Sequence, residues 1–152
     1  MPTGIPEPLH GALQKLEMEL EFPFVPGELE TWTNSVRETL KQAAIHIRAR
    51  FENDHSGEFA QIEAEDLELE SRVADLRQRD RAILDRLAEL ERRVETFLLK
   101  ATHVEPDEAR AASEREELVQ EGLDLVISVR RQEVTARTWL SEALERDNAP
   151  GD

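Results

Sequence analysis

Residues 73–97, VADLRQRDRAILDRLAELERRVETF, decide the fold of this 152-residue chain. Their apolar side chains recur at alternating spacings of three and four, which places them on one face of an α-helix. The stripe consists of Val73, Leu76, Ile83, Leu87, Leu90, Val94 and Phe97. One position departs from it, because Asp80 stands where the pattern requires an apolar residue. The stretch therefore predicts a long amphipathic helix with one carboxylate on its inward face.

Three further stripes with the same spacing lie on either side of this stretch. They run from Leu9 to Leu20, from Leu29 to Phe51 and from Leu118 to Ala143. The last stripe also has one polar member, Gln132. Clusters of turn formers separate the stripes at 22–27 and 53–57, and Pro106 marks the third break.

Four amphipathic segments with short connections predict an all-α fold, an antiparallel up-down-up-down four-helix bundle. We expect one domain over 1–152, with a disordered tail over 148–152. The helices are expected at 7–22, 28–52, 63–103 and 107–147. A long coiled coil is the alternative, but the first two helices have apolar faces that need a partner within the domain. A dimer through a longer third helix is also open.

Charge and composition exclude several classes of function. The 34 acidic and 19 basic residues give a net charge of −15, which disfavours nucleic acid and anionic membranes as partners. The chain has no cysteine, and hence no disulfide, thiolate ligand or thiol nucleophile. It shows no signal peptide and no apolar run long enough to span a bilayer, so we expect a soluble, cytoplasmic protein.

Each helix carries one polar residue at or beside its inward stripe. These residues are His10, Glu52, Asp80 and Gln132. Buried polar groups need mutual pairing, water or an ion, and helix bundles hold metals at such positions. The simpler interpretation is that an isolated Asp or Gln in a stripe bonds a neighbouring arginine or water, or fixes the helix register, and that His10 is a partly exposed side chain. His55 lies among turn formers, and we expect it to serve the turn.

The order of these segments resembles the bacterial hemerythrin-like domains over nearly the whole chain. The resemblance is carried by Leu9-His10, by Arg48-Ala49-Arg50-Phe51-Glu52-Asn53-Asp54 with Gly57 and Phe59, by 76–84 around Asp80, and by Gln132-Glu133 leading to 139–143 and Arg146-Asp147. It implies an antiparallel four-helix bundle around a di-iron centre, with histidine and carboxylate ligands from all four helices. A His-x-x-x-Glu pair marks the second helix of that family, and histidines mark the third and fourth.

Against those marks this chain has lost most of the expected ligands. His10 matches the first-helix histidine, and Glu52 keeps the second-helix carboxylate. Arg48 stands where the second-helix histidine is expected, although His46 could take that place after a shift of register.

Asp80 and Gln132 stand at the third- and fourth-helix histidines of the family pattern. One aligned histidine and two carboxylates are too few for two irons, and a guanidinium repels a cation. We therefore expect Arg48, Glu52 and Asp80 to form an interior salt-bridged cluster that replaces the metal and touches His10 and Gln132. A mononuclear site made of His10, Glu52 and Asp80 is the alternative.

These features predict a non-catalytic structural or protein-interaction module with an eroded di-iron site. An iron-binding, oxygen-responsive protein with a reduced or unusual site is the second hypothesis. Enzyme activity is not expected, since the chain has no glycine-rich phosphate loop and no Gly-x-Ser-x-Gly motif. No cofactor is expected apart from iron in the second hypothesis, and the partner would be another protein or a second copy of the chain.

Overall fold

The computed structural model describes residues 5–103 and 108–147, apart from the side chains at 103, 108, 146 and 147. Within these ranges the chain consists of helices joined by short connections and contains no strand. Its elements are α1 (Glu7–Glu21), α2 (Leu29–Arg48), a π-helical segment (Ala49–Asp54), α3 (His55–Glu65), a 3-10 turn (Leu67–Leu69), α4 (Glu70–His103) and α5 (Glu108–Asp147). The all-α prediction is confirmed, whereas the tail predicted over 148–152 lies outside the described residues.

The ends of α1 follow from its sequence. Proline is tolerated in a first helical turn because its missing N–H would have no partner there, and Pro6 and Pro8 lie at this point. The connection to α2 turns at Gly27, whose φ of +86° is a conformation that favours glycine.

The second helical stretch is longer than the sequence predicted. The backbone stays helical from α2 through the π-helical segment into α3, so the end predicted at 53–57 is wrong. The break falls instead at Asp66, where the chain becomes extended and the carboxylate accepts a hydrogen bond of 3.0 Å from the backbone N–H of Glu68. As a result, the third long helix begins at Glu70 rather than at residue 63.

Two apolar clusters form the core of the described residues. The larger combines α1 and α2 with the second half of α4 and the first half of α5. The smaller combines α3 with the first half of α4 and the second half of α5, around Phe59, Ile62 and Leu76. No helix in the described ranges is both long enough and apolar enough to cross a bilayer.

Candidate functional site

A layer of buried polar side chains lies between the two apolar clusters. We call Arg50, His55, Asp80, Gln132 and Glu133 the polar layer. His55 and Glu133 have no exposed surface, and the other three are at most 8% exposed. Side chains of this kind are almost never buried unless they are paired, so their partners decide what the layer can do.

His55 is the centre of the polar layer. Its Nδ1 lies 2.8 Å from Asp80 Oδ2 on α4, and its Nε2 lies 2.5 Å from Glu133 Oε1 on α5. The ring stacks on Phe51, with centroids 4.5 Å apart, and contacts Phe59 at 5.2 Å. The imidazole is therefore held in its plane by two carboxylates and on its faces by aromatic rings.

Arg50 is the second cation of the layer. Its Nε lies 2.9 Å from Glu133 Oε2 and 3.1 Å from Oε1. Its Nη1 and Nη2 lie 2.9 Å and 3.1 Å from the two carboxylate oxygens of Glu58, which sits at the edge of the layer. Charge-assisted contacts of this kind are stronger than neutral hydrogen bonds, and they leave the guanidinium well satisfied although it is buried.

Gln132 completes the layer on the side of α4. Its amide nitrogen donates to Asp80 Oδ1 and to the backbone carbonyl of Leu76, both at 2.8 Å. Both oxygens of the Asp80 carboxylate are thus occupied, one by Gln132 and the other by His55.

The π-helical segment explains why two cations from one helix reach the same carboxylate. A π turn bonds residue i+5 to residue i, and here the backbone N–H of His55 donates to the carbonyl of Arg50. The π turn places the side chains of Arg50 and His55 one above the other, and both contact Glu133. In an uninterrupted α-helix, residues five apart would point about 140° apart around the axis.

The polar layer is charged at neutral pH. Burial by itself would lower the pKa of His55, but hydrogen bonds and charge attraction from Asp80 and Glu133 outweigh it and raise that pKa from 6.5 to about 9. Burial also opposes the charge on Arg50, and its contacts with Glu133 and Glu58 raise the pKa above its usual value nonetheless. Two cations, His55 and Arg50, therefore face three carboxylates, those of Asp80, Glu133 and Glu58.

This arrangement does not suit an iron centre. A protonated imidazole has no lone pair to offer a metal, and both nitrogens of His55 already donate to carboxylates. The ring also lies between Asp80 and Glu133, so the two carboxylates face different sides of it. Across the described residues, no group of three histidine, aspartate or glutamate side chains is arranged to hold a metal ion.

The structure brings together only part of the predicted cluster. Asp80 and Gln132 are buried and hydrogen-bonded to each other, as expected from their places in the stripes. The inward position predicted for Glu52 is wrong. Glu52 lies in the π-helical segment, where Arg50 and Phe51 are the buried side chains and Glu52 is exposed. Arg48 pairs with Glu91 on α4 and not with Asp80, so the predicted cluster does not form.

His10 stands apart from the polar layer. It lies half-buried on α1, beside Leu9 at the edge of the larger apolar cluster. Its side chain makes no hydrogen bond with any described residue. No hydrogen bond of the described residues joins His10 to Asp80, and Glu52 is exposed. The three ligands predicted for the mononuclear alternative therefore do not form one group.

Sequence reasoning missed three members of the layer. The prediction that His55 serves a turn is wrong, since the residue is helical and buried. Arg50 and Glu133 were not singled out as inward residues at all. A signal existed for His55: the second stripe continues from Ile47 and Phe51 to His55 in steps of four residues.

No protein-family model matches the chain, and no curated protein or solved structure matches it either. What the protein does is therefore inferred from the chemistry of the polar layer.

Proposed function

We propose that the protein is a non-catalytic, hemerythrin-like helical bundle that acts as a structural or protein-interaction module, with internal cations in place of a metal centre. One observation carries the proposal: His55 is buried with each ring nitrogen on a carboxylate. The positive charge that iron would supply in the interior of such a bundle is supplied here by His55 and Arg50.

An antiparallel arrangement of the helices is part of the proposal. Contacts between α4 and α5 pair Asp80 with Gln132 and Arg86 with Ser128, so residue numbers rise on one helix as they fall on the other. The connection between α1 and α2 spans only residues 22–28, and a short link favours antiparallel neighbours. Both features support an up-down-up-down bundle.

The same contacts argue against catalysis by the polar layer. A general acid or base must come within hydrogen-bond reach of a substrate proton. His55 and Glu133 have no exposed surface, and every polar atom of the His55 ring is taken by a neighbour in the layer. A protein partner, and not nucleic acid or a membrane, also suits a chain with a charge of −15.

The decisive experiment is metal analysis of the full chain. Protein purified from iron-supplemented cells, and protein reconstituted anaerobically with ferrous iron and then exposed to air, should contain far less than one iron per chain. Neither sample should show the absorption bands of an oxo-bridged iron centre. Near-stoichiometric iron or manganese would overturn the proposal, and oxo-bridge bands would establish the iron-binding, oxygen-responsive alternative.

A further inference from the structure

An apolar groove of about 300 Å³ lies where α1 ends and α2 begins. Phe22, Phe24, Val25 and Trp32 provide its apolar surface. Phe22 is 56% exposed, Val25 41% and Phe24 37%, although each could gain free energy by leaving water. Three large apolar residues within four positions form a contiguous exposed patch, and such patches mark interaction sites.

Hydrogen bonds and stacking hold the groove in shape. The indole Nε1 of Trp32 donates to the backbone carbonyl of Glu19 at 3.0 Å, and Arg115 Nη2 donates to the carbonyl of Phe22 at 2.5 Å. The buried Arg115 guanidinium also lies 4.5 Å from the Trp32 ring centroid and 5.5 Å from that of Phe24. A groove fixed in this way loses little conformational entropy when it binds a ligand.

Carboxylates are the charged groups at the rim. Two carboxylates, those of Glu19 and Glu28, line the groove. Neither of them pairs with a lysine or arginine of the described residues. Many carboxylates elsewhere do have such partners, as Glu91 does with Arg48. The groove therefore offers an apolar floor backed by one buried cation, Arg115, and two rim carboxylates that have no ion pair with a described residue.

We propose that this groove binds a segment of a partner protein in which a bulky apolar side chain is flanked by lysine or arginine. The apolar side chain would cover Phe22 and Val25, and its basic neighbours would face Glu19 and Glu28. The inference names a partner class for the interaction role proposed above and rests on that role. A second copy of the chain is a poorer occupant, because two chains of charge −15 repel each other.

The test is an NMR titration of the ¹⁵N-labelled full chain with the acetylated and amidated peptide Lys-Lys-Leu-Lys-Lys. The Trp32 indole N–H serves as reporter because it lies in the groove wall. Saturable shifts centred on this signal are expected, and they should be weaker with Lys-Lys-Ser-Lys-Lys and absent with Glu-Glu-Leu-Glu-Glu. Equal binding of the leucine and serine peptides, no binding, or shifts centred elsewhere would overturn the proposal.

Matched variants separate the groove from general surface effects. Val25→Ser should raise the Kd about fivefold or more, because part of an apolar contact is lost, whereas Val134→Ser, equally apolar and exposed on α5, should leave it unchanged. Glu28→Gln should raise the Kd at low salt but not at high salt, since exposed charges are screened.

Equal Kd values for the two valine variants would overturn the proposal, as would a dimer of the free chain that Val25→Ser abolishes. Peptide binding and iron content are independent measurements, so failure of one proposal is distinguishable from failure of the other.

Discussion

His55 keeps its proton in a place where histidines ordinarily lose it. Burial disfavours the charged imidazole, but a carboxylate lies at each ring nitrogen, and removal of the proton would leave Asp80 and Glu133 facing a neutral ring. The nearest remaining positive charge would then be Arg50, which Glu133 shares with Glu58. The stability of the fold should therefore depend on the protonation of this one side chain.

The first prediction concerns pH. The pKa of His55 in the folded protein, about 9, is higher than the 6.5 of the unfolded chain. The stabilisation is therefore fully present below pH 6.5 and is lost as the pH rises through about 9. This difference in pKa corresponds to roughly 3 kcal/mol of unfolding free energy. Urea unfolding between about pH 6 and about pH 10 should show the decline.

Two variants control that measurement. His55→Gln, which cannot take up the proton, should be less stable at neutral pH and should lack the decline above it. His46→Gln, on the half-buried flank of α2, should keep the decline of the unmodified protein. A decline of the same size in His55→Gln would contradict the assignment of the charge to His55.

The second prediction compares two glutamates. Glu133→Gln leaves Arg50 and His55 close together without their shared carboxylate, and breaking a buried ion pair in this way costs about 3–5 kcal/mol. Glu52→Gln should change the unfolding free energy by less than about 0.5 kcal/mol, because this side chain is exposed. Urea unfolding at neutral pH measures both. Similar losses in the two variants would show that Glu52 belongs to the interior after all.

At the scale of helices, the sequence predicts the two inward residues that interrupt long regular stripes. Asp80 and Gln132 are conspicuous because apolar residues flank them at helical spacing on both sides. Glu133 is harder to find, since it belongs to a second inward column with Val126 and Leu140, seven residues away on each side. A helix buried on a wide face has two such columns, and the simple stripe pattern describes only one of them.

The π-helical segment is the feature that the stripe pattern could not predict. Three steps of four residues, from Ile47 to Phe59, would drift by about 120° around a straight α-helix. The π turn has more residues per turn and cancels much of this drift, so that Phe51, His55 and Phe59 can all be buried. The turn formers at 53–57 conceal this continuity, because their own preferences favour a helix end.

The third prediction tests the π turn directly. Insertion of one alanine after the exposed Asn53 lengthens the spacing of Arg50 and His55 from five residues to six, which places the two side chains about 120° apart in a regular α-helix, so one of them can no longer reach Glu133. The free energy of unfolding should fall by about 3–5 kcal/mol, as for any broken buried ion pair. The decline in stability at high pH should disappear as well. The substitution Asn53→Ala keeps the spacing and should retain both the unfolding free energy and its decline at high pH. Urea unfolding across the pH range checks this, and an insertion variant that kept its pH dependence would contradict the role of the π turn.

At the scale of the whole molecule, the net charge of −15 says less about stability than its distribution does. Many of the ion pairs lie at the surface, such as Arg37 with Glu95, where both side chains are half exposed. Exposed pairs of this kind contribute about 0–1 kcal/mol each. The polar layer is different, because its charges are buried between two apolar clusters and separate them. The described residues thus form two cores of unequal size with a charged layer between them.

The fourth prediction follows from that division. The smaller cluster contains eight of the buried residues described and the larger contains 22, so the smaller should open at a lower free energy. Native-state hydrogen exchange should therefore show a lower opening free energy for the amide of Ile62 on α3 than for that of Leu40 on α2. Glu133→Gln should lower the value for Ile62 further, because α3 loses its buried contact with α5 through His55. Equal opening free energies at Ile62 and Leu40, with equal changes in the variant, would mean that the two clusters unfold as one unit and that the polar layer does not divide them.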